Sequence, residues 1–374
     1  MMLLAALAAA FCARAEKRWT DPDTGYTWTY RLNGGTAEIL GLREGSYVVH
    51  YYSGITPDPS GHVTVPSAIE GVPVTKIGWY AFFNCRGMTS LTIPDSVTGI
   101  DSHAFEECGN SLFDIVAKPG LKLIDGWVMG TTDSLSGDLN LTGVRGIGDY
   151  AFYNCSGLTS VTIPDSATGI GDYAFGNCSG LTSVTIPESV RNIGYRAFFG
   201  CTGLTAVHIA DLAAWCGISF REPSFAPYNL YIGGSAVTNL TIPAGITRIN
   251  DYAFSGCSGI TSLTMHDDVT YIGSKAFSGC RGLTDVTISK SVTSVGSGAF
   301  AGCAGLKEMT LPFIGKSRDG ESTGWKGSML LFGWLFDSSE FEGGVRITQH
   351  YATSGGFTSD TDWFPGALKI VRVT

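Results

Sequence analysis

Charge is what this chain has least of. Only 15% of its residues are charged, 24 Lys and Arg stand against 33 Asp and Glu, and no basic run occurs. That balance argues against nucleic acid or an anionic membrane as the main partner. Long apolar runs are also missing: past the first fifteen residues nothing approaches the ~20 residues that a membrane span needs. The six histidines (His50, His62, His103, His208, His266, His350) are scattered without HExxH or CxxC company. No catalytic residue, cofactor site or metal site is therefore assigned, and the chain is read as non-enzymatic. Disorder is excluded by composition, because 44% of the residues are hydrophobic and suffice for a continuous core.

Glycine, in contrast, is abundant, with fifty residues, and the chain repeats itself. From Ile147 it reads IGDYAFYNCSGLTSVTIPDSATG, then IGDYAFGNCSGLTSVTIPESVRN, then IGYRAFFGCTGLTAVHI. Phe152, Phe175 and Phe198 lie 23 residues apart, as do Cys155, Cys178 and Cys201. A fixed period of this size marks a solenoid, in which each coil buries its apolar face against its neighbours. Within a coil Leu158, Val161 and Ile163 are expected to point inward and Ser160 and Thr162 outward, the alternation of a strand. Pro164 ends the strand because it cannot donate to a ladder. Gly171 is expected to let the chain turn, and Ala174-Phe175 to fill the middle of the coil.

Four segments follow in order. Residues 1–15 resemble a secretory signal, an apolar run ending in the small-residue pattern Ala13-Arg14-Ala15. The aromatic, turn-rich stretch 16–72 is expected to cap the array. The repeats occupy 73–312, with a degenerate coil over 109–145 and an insertion over 211–236. The degenerate coil places Ile124-Asp125-Gly126-Trp127-Val128 where IGxxAF is expected. The insertion, carrying Trp215 and Phe220, is expected to bulge from the stack. Residues 313–374 are rich in Gly, Ser and aromatics and end in a strand-like LKIVRVT.

The repeat itself explains several apparent motifs. Gly146 to Ala151 fits a dinucleotide GxGxxA fingerprint, but Gly169 to Ala174 repeats it one coil later, which a true fingerprint does not do. The aspartates of DPDTG and SDTDW sit in loops where Asp is ordinary. The cysteines Cys85, Cys108, Cys155, Cys178, Cys201, Cys257, Cys280 and Cys303 form a ladder. Parallel side-chain vectors fit disulfides poorly, so buried free thiols are expected.

The consensus IGxxAFxxCxxLTxVTIPxSVTx over residues 61–312 resembles the BspA-type leucine-rich repeats of bacterial and protist surface proteins. The resemblance implies a β-rich α/β-type solenoid, a leucine-rich repeat array of about ten 23-residue coils with a parallel β-sheet. It also implies a non-enzymatic module at the cell exterior, secreted or at the cell surface, used in adhesion, host or matrix binding, or scaffolding. Monomers are expected, with a protein ligand on a host or neighbouring cell surface or a glycan as partner. The alternative is a carbohydrate- or protein-binding module of a larger secreted enzyme, cut off at Thr374.

The candidate binding residues come from the outward column. Thr162, Thr185, Thr264 and Thr287 form a flat hydroxyl ladder, suited to a glycan or another ordered surface, although Thr also favours strands for their own sake. The column is broken at Ala206/His208, directly before the insertion. His208 with exposed Trp215 and Phe220 is therefore expected to supply the anchors of a protein interface.

Overall fold

A computed structural model of the chain describes residues 16–44, 50–115, 117–222 and 228–312, and beyond them the backbone of 333–336, 344–353, 356–365, 368 and 370–373. The segment 1–15, with its signal-like pattern, lies outside the described residues. The architecture is a β-solenoid of about 11 turns of ~23 residues with parallel sheets and almost no helix. It divides into two compact units, the first made of residues up to Leu135 with Thr142–Cys155 and Ser166–Gly176, the second of Ser136–Leu141, Ser156–Asp165 and the chain from Asn177.

The first unit begins with antiparallel strands Lys17–Thr20, Thr27–Asn33 and Thr36–Ile39. The last of these pairs in parallel with Val72–Ile77, which pairs in parallel with Gly99–Ile100. A meander thus hands its hydrogen-bonding edge to the repeat. On the other wall Ser60–Thr64 pairs with Gly87–Thr92. Leu121–Ile124 and Trp127–Thr131 form a hairpin turned by Asp125 and Gly126, both at positive φ (46° and 77°), the Asp-Gly chemistry that a two-residue turn favours. The register there differs from expectation: Trp127-Val128 pairs with Gly146-Ile147, so the hairpin supplies this wall and no Ala-Phe pair is present. Gly146 is required, since a Cβ would sit 2.5 Å from the Trp127 ring.

In the second unit one wall carries Ser136–Asn140, Gly157–Thr162, Ser183–Ile186, Ala206–Ile209 and Asn229–Ile232 in parallel order, closed by antiparallel Ser235–Ala236. A new parallel sheet then starts at Asn239–Ile242 and continues through Ser262–Met265, Asp285–Thr287, Glu308–Leu311 and Ile370–Val373. The described residues of the insertion do not bulge. Ser219–Phe220 pairs with Asn192–Ile193, and Asn229–Ile232 takes the next place beside Ala206–Ile209, so the segment is a coil in register with its neighbours.

Side-chain ladders fill the core. Phe152 stacks on Phe175 at 5.0 Å and Phe254 on Phe277 at 5.3 Å, with interplanar angles of 8° and 4°. This is close to the inter-strand spacing that sets it. Two left-handed residues shape most coils around that Phe, such as Tyr173 (φ 51°) and Asn177 (φ 59°). The second position holds Asn or Gly in most coils because those residues tolerate it. Gly171 acts differently from expectation. Its φ is not positive, but a Cβ there would lie 2.5 Å from the Asp149 backbone nitrogen, so its role is to let adjacent coils approach.

None of the nine described cysteines is in a disulfide; eight are buried and Cys108 is half-buried. The Sγ–H of Cys280 donates to the Phe254 carbonyl and that of Cys303 to the Phe277 carbonyl, both at 3.2 Å. Burial pushes the Cys257 and Cys303 thiols up to about 12. They act as small hydrophobes with one hydrogen bond to the preceding coil.

Candidate binding face

The strand GLTSVT has two kinds of threonine. The first points along the wall: Thr182 Oγ1 donates to the Thr159 carbonyl at 2.9 Å, and Thr261 and Thr284 do the same to Thr238 and Thr261 at 3.1 Å. These hydroxyls tie coil to coil. The second threonine stands on the outward face, where Thr162, Thr264 and Thr287 are exposed and Thr185 half-buried.

Pairing puts Thr162, Thr185, His208 and Tyr231 in one row, and Ser160, Ser183, Ala206 and Asn229 in the row beside it. The row changes character at His208 without breaking: the imidazole stacks on Tyr231 with centroids 4.8 Å apart and planes at 27°. Tyr231 was not visible as a candidate because it lies outside the repeat consensus, and only its pairing with His208 reveals it. Asp138 stands at the other end of the neighbouring Ser160 row, accepting from Thr159 Oγ1 at 2.9 Å and Ser160 Oγ at 2.6 Å. Those two hydroxyls hold its carboxyl below the ordinary range. Thr264 and Thr287 belong to the second sheet, where Thr241 pairs with Thr264 and Thr287 with Thr310. The outward column is therefore two rows on two sheets.

Trp215 and Phe220 are not on this face and not exposed. Trp215 is 1% and Phe220 6% exposed. Trp215 lies on the short helix Leu212–Cys216, whose N-terminus is capped by Asp211 Oδ1 accepting from Ala214 N at 2.6 Å. Its Nε1 donates to the Ala253 carbonyl at 2.8 Å, and its ring meets Phe220 edge-on at 5.3 Å. An indole with its one polar atom satisfied by backbone is stable inside a core, so the expectation of exposed anchors is overturned for both residues.

The acidic loops show their own partners. Asp21 accepts from the Asp23 amide at 2.9 Å and from Thr24 Oγ1 at 2.7 Å, and Asp268 from the Gly245 amide at 2.7 Å. Among the described residues no group of three or more His, Cys, Asp or Glu could hold a metal ion. Among them, too, no helix is long and apolar enough to cross a membrane.

The BspA type leucine rich repeat region matches in six copies, over residues 69–136, 145–213 and 227–317. The chain belongs to this family. Among curated proteins, no sequence matches. Similar solved structures include a leucine rich cell surface protein from Faecalibacterium prausnitzii A2-165, 24% identical over 87% of this chain and 99% of that one, with a TM-score of 0.27. A leucine rich repeat protein from T. pallidum is 24% identical over 68% and 87% of the two chains, at a TM-score of 0.24. The pneumococcal vaccine antigen PcpA is 15% identical over 79% and 82%, at 0.30. Membership in the BspA-type family is consistent with a binding module.

Proposed function

We propose that this BspA-type chain is an exported, monomeric adhesion module that recognises a protein on a host or neighbouring cell surface. Recognition uses the outward row Thr162–Thr185–His208–Tyr231, and the chain performs no catalysis of its own. The observation that carries this reading is the stacked His208–Tyr231 pair, an aromatic patch set in a flat field of hydroxyls on a parallel sheet. Backbone pairing fixes the spacing of the row, so a partner meets a surface that loses little side-chain entropy on binding. Half-buried aromatics in such a setting are the residue types that anchor interfaces. The test is surface plasmon resonance of the chain from Glu16 against a panel of extracellular matrix proteins. Saturable binding is expected, weakened about 30-fold or more in the His208→Ala/Tyr231→Ala double variant. Equal affinity in that variant, or no ligand in the panel, overturns the reading.

A further inference from the structure

A separate cleft lies on the first unit, far in sequence from the outward row. It has a volume of about 320 Å³, and its lining includes the aromatic residues Tyr51, Trp79 and Tyr80 and the charged residues Glu38, Lys76 and Asp101. We propose that this cleft is a carbohydrate-binding site for a neutral pyranose, with Trp79 as the stacking platform. The proposal is independent of the sheet-face reading.

The aromatic wall is held from behind. Tyr80 stacks on Tyr51 at 4.0 Å and meets Trp79 edge-on at 5.9 Å, while the His103 ring supports Trp79 at 5.3 Å. The Gly41 amide donates to the Trp79 carbonyl at 2.7 Å, and a Cβ on Gly41 would overlap the Tyr80 carbonyl oxygen. With its neighbours so fixed, Trp79 still leaves 55% of its surface in solvent, the largest fraction among the exposed large hydrophobics of the described residues. An indole that is buttressed yet uncovered presents the flat apolar area that the C–H face of a sugar ring covers.

The polar side determines the charge class. Lys76 Nζ lies 3.5 Å from Glu38 Oε1, and Arg31, also in the lining, lies 3.5 Å from Glu16. Asp101 is 6% exposed, and it accepts from the His103 amide at 3.0 Å. Each cation already faces a carboxylate, which leaves no free charge to hold an anion. What remains are the spare lone pairs and N–H groups of paired ions, matched to hydroxyls that both donate and accept. A concave site of this size, with one apolar wall and a few convergent polar groups, has the composition of a small-molecule site.

The experiment is calorimetric titration of the chain from Glu16 with cellotriose, chitotriose and mannotriose, beside a printed glycan array and a set of short peptides. Saturable binding of at least one neutral saccharide is expected. Trp79→Ala should weaken it about tenfold or more and Trp79→Phe much less, with an unchanged thermal midpoint because the side chain is mostly exposed. Lys76→Met should weaken it by several-fold, and His208→Ala/Tyr231→Ala should leave it unchanged. No neutral saccharide bound, binding confined to acidic glycans or to peptides, or Trp79→Ala binding as the wild type overturns the proposal. Loss of saccharide binding in the sheet-face variant also overturns it, because the sugar then sits elsewhere.

Discussion

Replacing Trp215 with Ala separates a core residue from an interface anchor. The side chain is 1% exposed, its Nε1 is bonded to the Ala253 carbonyl at 2.8 Å, and Phe220 packs against its ring. Truncating a buried Trp removes transfer free energy and leaves a cavity, together ~3–5 kcal/mol. Trp215→Phe keeps most of the volume and loses the hydrogen bond, which costs about 1–2 kcal/mol. Because coils stack on nearest neighbours, the loss should be local. Urea unfolding followed by circular dichroism should show the ordering wild type, Phe variant, Ala variant. Hydrogen exchange should quicken first at Asn250 to Phe254 and at Ser219 to Phe220. An Ala variant within about 0.5 kcal/mol of wild type would refute the reasoning, for that is the range of a surface substitution.

Two further outcomes follow from the buried ionisable groups. Three ladder thiols, Cys257, Cys280 and Cys303, are neutral in the folded chain at pH 8, since burial pushes Cys257 and Cys303 to about 12 and Cys280 well above its ordinary value. Ellman's reagent should label them only slowly until denaturant is added. Their folded values lie above the unfolded ones, so stability should fall as pH rises past about 8.5; fast labelling of several native thiols contradicts this. Asp149 is pushed up to about 7 by burial and then by the nearby Asp172 charge. A carboxyl with a raised folded value costs nothing below pH ~4, and its cost grows as pH climbs to about 7. Asp149→Asn keeps the acceptor for the Asp172 amide, bonded at 2.7 Å. It should match wild type in thermal midpoint at pH 4 and exceed it by roughly 2–4 °C at pH 8. An equal midpoint at both pH values contradicts it.

What could be read from the sequence was whatever the period repeats. Phe152, Phe175 and the cysteines were placed because a stacked coil copies its neighbour's side chains, and the outward Thr162 and Thr185 followed from strand alternation. Trp215 and Phe220 were misplaced for the complementary reason. Their coil departs from the consensus, and a departure in length looks like a protrusion when the helix that absorbs it cannot be seen. Tyr231 was missed because only its register with His208 gives it meaning. The cleft at Trp79 was invisible because Trp79 and Tyr80 occupy the variable positions of IGxxAF, and the rest of its lining comes from the lead-in and neighbouring coil, which the period does not bring together. Gly171 shows a subtler limit: the glycine was recognised, but steric contact with the adjacent coil, not turn freedom, is its cause.

The two outward sheets of the second unit meet at Ser235–Ala236 and Asn239–Ile242, with no strand ladder between them. The interior is continuous there, since Trp215 reaches Ala253 and the Tyr228 amide reaches the Gly256 carbonyl at 3.0 Å. The outer ladder is therefore segmented while the core is spliced. Coils on one side of that seam can be duplicated or deleted without re-registering the ladder on the other, so the rows carrying His208 and Thr264 are free to diversify as separate cassettes.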